Sequence, residues 1–265
     1  MMRPSMNVTG RQYAALARRA VVNVLRQPAT SIPSLVFPLI FMAMSAAALN
    51  RSIALPGFPE VDSFVQFAIA ATIVQGVLFG SIAAGSEMAK DIEDGFFERL
   101  VASPVSRTSI LVGRVAGAAS LGFVQALIFL SVGMIFGVDV EGGAQAFLLI
   151  AIVASVLSAA IGSVAVAIGL RTGSSEAVQG TFPLLFALMF LSSAFFPRDL
   201  MNGWFRSVAS VNPLSHLIEG LRTQIIRGVD LGQWTFSLLI ALGIFAIGIT
   251  LARLALRGRL GAVHL

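Results

Sequence analysis

Cysteine is absent from the 265 residues, which excludes disulfides, thiol nucleophiles and cysteine-ligated metal sites. Histidine occurs twice, at His216 and His264, too few for a histidine-based metal cluster. Lysine occurs once, and Lys90 follows Ala89 rather than the glycine of a phosphate-cradling Gly-x-x-x-x-Gly-Lys loop. The chain therefore has no ATP-hydrolysing loop of its own. Charge of either sign is scarce: 12% of residues are charged, about half the usual ~25%. Serines are plentiful but have no histidine and acid on the same side of the chain, so no motif supports a membrane enzyme. The isoelectric point near 11.2 does not indicate nucleic acid, because the arginines are scattered at the ends of apolar runs instead of massed in one patch.

What is present is hydrocarbon, 57% of residues, with a mean hydropathy of +0.89. It is gathered into six runs, at residues 31–49, 63–86, 109–137, 144–170, 177–196 and 234–254. Each approaches the ~20 apolar residues that a helix needs to cross ~30 Å of hydrocarbon. The first contains Pro33 and Pro38 and is expected to be kinked or irregular. The alternating ten-residue segments of a β-barrel are missing. The fold class is all-α: a polytopic membrane protein with six transmembrane helices in a single domain over 1–265. No carboxylate, lysine or histidine stands near a midplane, as an ion-coupled carrier usually requires.

Ahead of the first span, residues 10–27 carry Tyr13, Leu16, Ala17, Ala20, Val21 and Val24 on one helical face. Arg11, Arg18, Arg19 and Arg26 lie on the other. That pattern fits a helix lying in the membrane interface, or a short soluble helix packed on its own protein. Roughly thirty mixed polar residues precede the first apolar run, so no signal peptide is expected. Arginines concentrate before span one, between spans two and three, and after spans four and six. Counting them by the positive-inside rule puts both termini in the cytoplasm; Arg198, Arg206, Arg222 and Arg227 between spans five and six are an exception on the outer side.

The densest charge lies at residues 87–114. Glu87, Asp91, Glu93, Asp94 and Glu98 share it with Lys90, Arg99, Arg107 and Arg114. Asp94 is placed to cap a short helix with Gly95 at its first turn, ending near Ala102 where Ser103-Pro104 stops it. Phe96, Phe97, Leu100 and Val101 recur at helical spacing. Such a helix is either a solvated connector on the headgroups or a knob for a partner protein. In the second case Phe97 and Leu100, three apart, are expected to form the face buried in the partner.

Inside the spans, Gln66, Gln75 and Gln125 need partners or water. Gly76, Gly80 and Ala84 form a small-residue ridge suited to close helix packing. Phe182, Phe186 and Phe190 recur at i, i+4, i+8 with Met189 beside them; such a stripe packs against helices or lipid, or lines a ligand path. The segment 197–232 is too long for a hairpin turn. Asn212-Pro213 reads as an N-cap and first-turn proline. His216, Glu219 and Arg222 lie three apart, where they can share one ion-paired face.

Lys90-Asp91 through Gly95, then Glu98-Arg99-Leu100, Ser103-Pro104-Val105-Ser106-Arg107 and Gly113-Arg114 together resemble the first cytoplasmic loop of ABC type-2 exporter permeases. The nearest flavour is the daunorubicin-resistance group, and the resemblance extends along nearly the whole chain. It implies a coupling helix in the loop 91–104, with Asp94, Gly95, Phe96, Phe97, Glu98, Arg99, Leu100, Ser103 and Pro104 meeting a separate ATPase subunit. It implies outer re-entrant helices at 197–232, with Asn212, Pro213, His216, Glu219 and Arg222. It also implies a substrate path along spans two and five of two protomers, for which Gln66, Gln75, Phe79, Phe182, Phe186, Met189 and Phe190 are the candidates. The implied assembly is two permease chains, identical or similar, with two ATPase subunits in a bacterial inner membrane. ATP and Mg²⁺ would sit on the ATPases, and this chain would bind no cofactor. The expected cargo is a small amphipathic molecule: a drug, polyketide or lipid. The rival readings are an ion-gradient-driven carrier and a non-transporting membrane assembly protein.

Overall fold

The computed structural model describes residues 28–103 and 106–262. The expected interfacial helix at 10–27 and Pro104 lie outside them. The regular structure among the described residues is helical throughout. The helices are α1 (Pro28–Leu49), α2 (Phe64–Glu93), α3 (Phe96–Ala102), α4 (Arg107–Ile135), α5 (Gly143–Thr172), α6 (Ser175–Gln179), α7 (Phe182–Phe190), α8 (Gly203–Val211), α9 (Pro213–Ile226) and α10 (Leu231–Ala262).

Five helices among the described residues are long and apolar enough to cross a membrane: α1 with the turn that follows it, α2, α4, α5 and α10. Their positions follow the apolar runs of the sequence, and α1 continues through Pro33 and Pro38 without a break. The expected fifth span at 177–196 is not one helix. It is divided into α6 and α7, and turns replace helix from Leu191 onward. Pro183 is the physical cause. It has no N–H to give the Gln179 carbonyl, so the ladder cannot run through. The chain tightens there, with Thr181 N donating to Val178 O at 3.1 Å, and helix restarts where Leu184 N and Leu185 N both donate to Thr181 O.

Side-chain oxygens open several helices. Ser63 accepts from Gln66 N, Ser106 from Ser109 N and Asn212 from Leu214 N, each satisfying one orphan N–H of a first turn. Helix α2 is the axis of the molecule, buried along nearly its whole length and packed against α1, α4, α5 and α9, while α10 lies along α5. Small residues permit the closest approaches. A methyl group on Gly85 would stand 2.3 Å from the Ala165 carbonyl oxygen, and one on Gly169 would stand 2.5 Å from the Gly85 oxygen. The backbones of α2 and α5 thus touch, and a hydrogen bond of 3.0 Å between Ser81 and Ser158 ties them higher up. The expected ridge of Gly76 and Gly80 meets α4 instead, under Phe129, Gln125 and Leu121.

Candidate functional site

Helix α3 sits at the C-terminal end of α2. Its N-cap is Gly95, in the left-handed region at φ 66°, and no side chain caps it; Asp94 is the C-cap of α2. The expected Asp94 cap is therefore replaced by a glycine turn, a conformation that costs glycine nothing and a β-carbon a good deal. This turn reverses the chain so that α3 folds back against the bundle.

The face of α3 that meets the bundle is the one expected to meet a partner. Phe97 is 2% exposed and packs in a cluster with Met88, Ile92, Ile110, Leu170 and Leu256, drawn from α2, α4, α5 and α10, with Leu100 and Val101 against its edge. Glu98, Arg99 and Ala102 are exposed on the other side, and Phe96 is half-buried. Arg99 lies back along the helix, its Nε donating to Gly95 O at 3.3 Å and its guanidinium 5.7 Å from the Phe96 ring. Ser103 closes the helix by donating to Leu100 O at 2.6 Å.

Charges bind this end together. Arg114 of α4 donates to both Glu87 and Asp91 of α2. Glu93 accepts from Ser175 N at 2.8 Å, joining α2 to the start of α6. Arg259, near the far end of α10, lies 4.0 Å from Glu98, donates to Leu170 O of α5 at 3.2 Å and stands 5.9 Å from the Phe97 ring. Sequence reading missed Arg259 as part of this site, since 161 positions separate it from Glu98. Its place in an apolar last turn, with Arg253 and Arg257, was the available signal.

On the side of α2 facing α1 and α7, phenylalanines form a continuous wall. Phe79 stands 4.5 Å from Phe182 and 6.0 Å from Phe186, and Phe186 stands 4.8 Å from Phe190. Phe37 and Phe41 of α1 and Phe195 extend it. The rings are half-buried to exposed: Phe182 is 38% and Phe190 41% exposed. The α1 members were not among the sequence candidates. Their i, i+4 spacing was visible, but nothing in the sequence placed α1 beside α7.

Two path candidates lie elsewhere. Met189 is wholly buried in the main core, turned away from its neighbours on α7. Gln66 fastens loops: its Oε1 accepts from Asp62 N at 2.9 Å and its Nε2 donates to Asp139 O at 3.1 Å. Gln75 does lie next to the wall. It is 2% exposed with an unpartnered Nε2, and borders a cavity of about 10 Å³ shared with Phe41 and Phe195, room for about one water.

At the opposite end of the bundle α9 packs over the start of α2, and α8 lies against α9. Asn212 caps α9, with Pro213 in its first turn, as expected. It also donates to Leu188 O at 2.8 Å and Leu191 O at 3.0 Å, satisfying carbonyls at the end of α7. His216, Glu219 and Arg222 do not form one ion-paired face. His216 pairs with Ser210 O at 2.9 Å and stands edge-on to Phe236. Glu219 pairs with Arg198. Arg222 donates to Phe67 O at 3.0 Å and Ser193 O at 3.2 Å, with its guanidinium 3.7 Å from the Phe67 ring. Burial lowers the Arg198 guanidinium from its ordinary range, and neighbouring Asp199 works against that shift.

Comparison with known proteins places this arrangement. Over 226 residues the chain is 26% identical to the daunorubicin resistance ABC transporter permease protein DrrB1 of Streptomyces coeruleorubidus, covering 84% of this chain and 77% of that one. It is 27% identical over 229 residues to the putative transport permease ycf38 of Porphyra purpurea, covering 85% and 76%. It is 23% identical over 231 residues to the probable doxorubicin resistance ABC transporter permease protein DrrC of Mycobacterium tuberculosis, covering 87% and 81%. The family model of the ABC-2 type transporter matches residues 11–226. This multi-pass membrane chain belongs to the ABC-2 type transporter family.

Proposed function

We propose that the chain is the membrane subunit of an ATP-driven exporter for an amphipathic substrate, with ATP and Mg²⁺ held by a separate ATPase subunit. Membership of the family implies an ABC ATPase partner. The observation that carries the reading is the mounting of α3. Its outer side offers Glu98, Arg99 and Ala102, with Phe96 at the edge, while its inner side is fixed to α2, α4, α5 and α10. An ATPase seated on that outer side would press on four long helices at once. The partner-facing residues are thus Phe96, Glu98 and Arg99, and Phe97 and Leu100 act behind them.

The phenylalanine wall supports an apolar, aromatic-tolerant cargo surface, since exposed rings offer offset-stacking faces to a flat ligand. Two relatives are named as daunorubicin and probable doxorubicin resistance permeases, and a flat amphipathic drug, polyketide or lipid-like molecule is the class we assign. The wall opens on the surface of the single chain, which fits a path completed by a second permease copy. We assign α3 and both termini to the cytoplasmic face of a bacterial inner membrane, a sidedness that the arginine distribution supports.

The test is co-purification with the cognate ATPase, then ATP hydrolysis in lipid vesicles with and without daunorubicin as probe. A stable complex whose hydrolysis rises with the probe is the expected result. Probe uptake that follows an ion gradient without ATP, or a complex that hydrolyses ATP and moves nothing, overturns the reading.

A further inference from the structure

At the α8–α9 end an open cavity of about 950 Å³ lies between these helices and the loops at 57–60 and 197–199. Four arginines line it, Arg198, Arg206, Arg222 and Arg227, against three carboxylates. Two of the arginines are neutralised in place, Arg198 by Glu219 and Arg206 by Asp199 at 3.6 Å. Arg222 and Arg227 remain, and among the described lining residues the exposed Glu60 is the carboxylate left to balance them. The lining thus carries one positive charge in excess.

Arg222 is the unusual member. It is 6% exposed, yet no carboxylate of the described residues lies within 4.0 Å of it. A guanidinium has five N–H donors, and the protein accepts two of them, at Phe67 O and Ser193 O. The other three belong to a group that borders the cavity. A buried cation without a counter-charge is costly, and the planar fork of arginine matches phosphate oxygens. A second observation sets the depth of the site. Helix α8 exposes Trp204 to 70% and Val211 to 80% beside Arg206, the pattern of a short helix lying among lipid headgroups.

We infer that this cavity is an anion site for a phosphate group, borne by a lipid headgroup or by a soluble phosphate, with Arg222 and Arg227 as its recognition pair. The excess of one positive charge matches the single negative charge of a phosphodiester. The volume leaves room for the larger body that carries it.

The experiment measures thermal unfolding of the purified full chain in detergent, titrated with short-chain phosphatidylglycerol, short-chain phosphatidylcholine and inorganic phosphate. Phosphatidylglycerol should stabilise saturably, with phosphatidylcholine about tenfold weaker because its choline cancels the charge. Arg227→Gln should weaken phosphatidylglycerol about fivefold, and Arg222→Lys, which keeps the charge but loses the fork, about tenfold. Glu60→Gln removes the one unpaired carboxylate and should tighten binding about threefold, a gain that misfolding cannot imitate. Should Arg222→Lys not fold, the two exposed positions carry the test. Competition by inorganic phosphate assigns the site to the phosphate group alone; its failure to compete assigns the site to the lipid headgroup. Absence of any saturable response to both, or equal affinity in wild type, Arg227→Gln and Glu60→Gln, overturns the inference. No ATPase enters the measurement, so its failure leaves the exporter reading untouched.

Discussion

The phenylalanine of α3 and the phenylalanines of α7 have the same side chain and opposite placements. Phe97 is sealed among residues of α2, α4, α5 and α10, whereas Phe182 and Phe190 stand at 38% and 41% exposure on an open wall. In a soluble protein, burial would separate a core ring from a binding ring by hydrophobicity. In a bilayer the surroundings are as apolar as the core, so hydrophobicity says nothing of which ring holds the fold and which is available to a ligand. Only the route of the helices decides. One ring is a fastener at the charged end, and the others are a surface.

The comparison is broken most directly at Phe97. Phe97→Ala should cost about 3–5 kcal/mol of stability, as for other buried phenylalanines, read from denaturant unfolding of the purified chain. Normal stability with lost ATPase binding would return the ring to the interface. Phe186→Ala on the wall should cost less, about 1 kcal/mol, since its stacking on Phe79 and Phe190 is worth about 0.5–1.5 kcal/mol. It should instead change the ratio of ATP hydrolysis stimulated by two different aromatic probes. Equal losses for every probe would make the wall mere packing. The smallest effect sharpens the other side of α3. Arg99→Ala should change stability by under about 0.5 kcal/mol while lowering ATPase association, with the difference shrinking as salt rises. A salt-independent loss would show that Arg99 is not a rim charge.

Much of this was legible in the chain. Apolar run length located α1, α2, α4, α5 and α10, because a helix pairs its own backbone polar groups in hydrocarbon; it missed the charged C-terminal turns by which α2 runs on to Glu93 and α10 to Ala262. The division of the fifth run at Pro183 was written in the sequence, but run length outweighed it. Helical periodicity put Phe97 and Leu100 on one face and could not say what that face would meet. The same holds for Met189, one position from Phe190 and wholly buried. Arg259 and the α1 phenylalanines join their sites only through tertiary contacts, which local patterns do not encode. The ion-paired face expected at His216, Glu219 and Arg222 failed for a related reason. Spacing allowed it, but Glu219 found Arg198 across the fold.

The contact at Gly85, Ala165 and Gly169 has a mechanical consequence. Side chains between helices act as compliant spacers that can swing rotamers to absorb a displacement. Here backbone rests on backbone, so at this contact α2 and α5 have no such cushion, and α2 extends from it as a helix about 45 Å long. A thrust delivered at α3 would travel along that helix with little loss and arrive where Arg222 holds the Phe67 carbonyl.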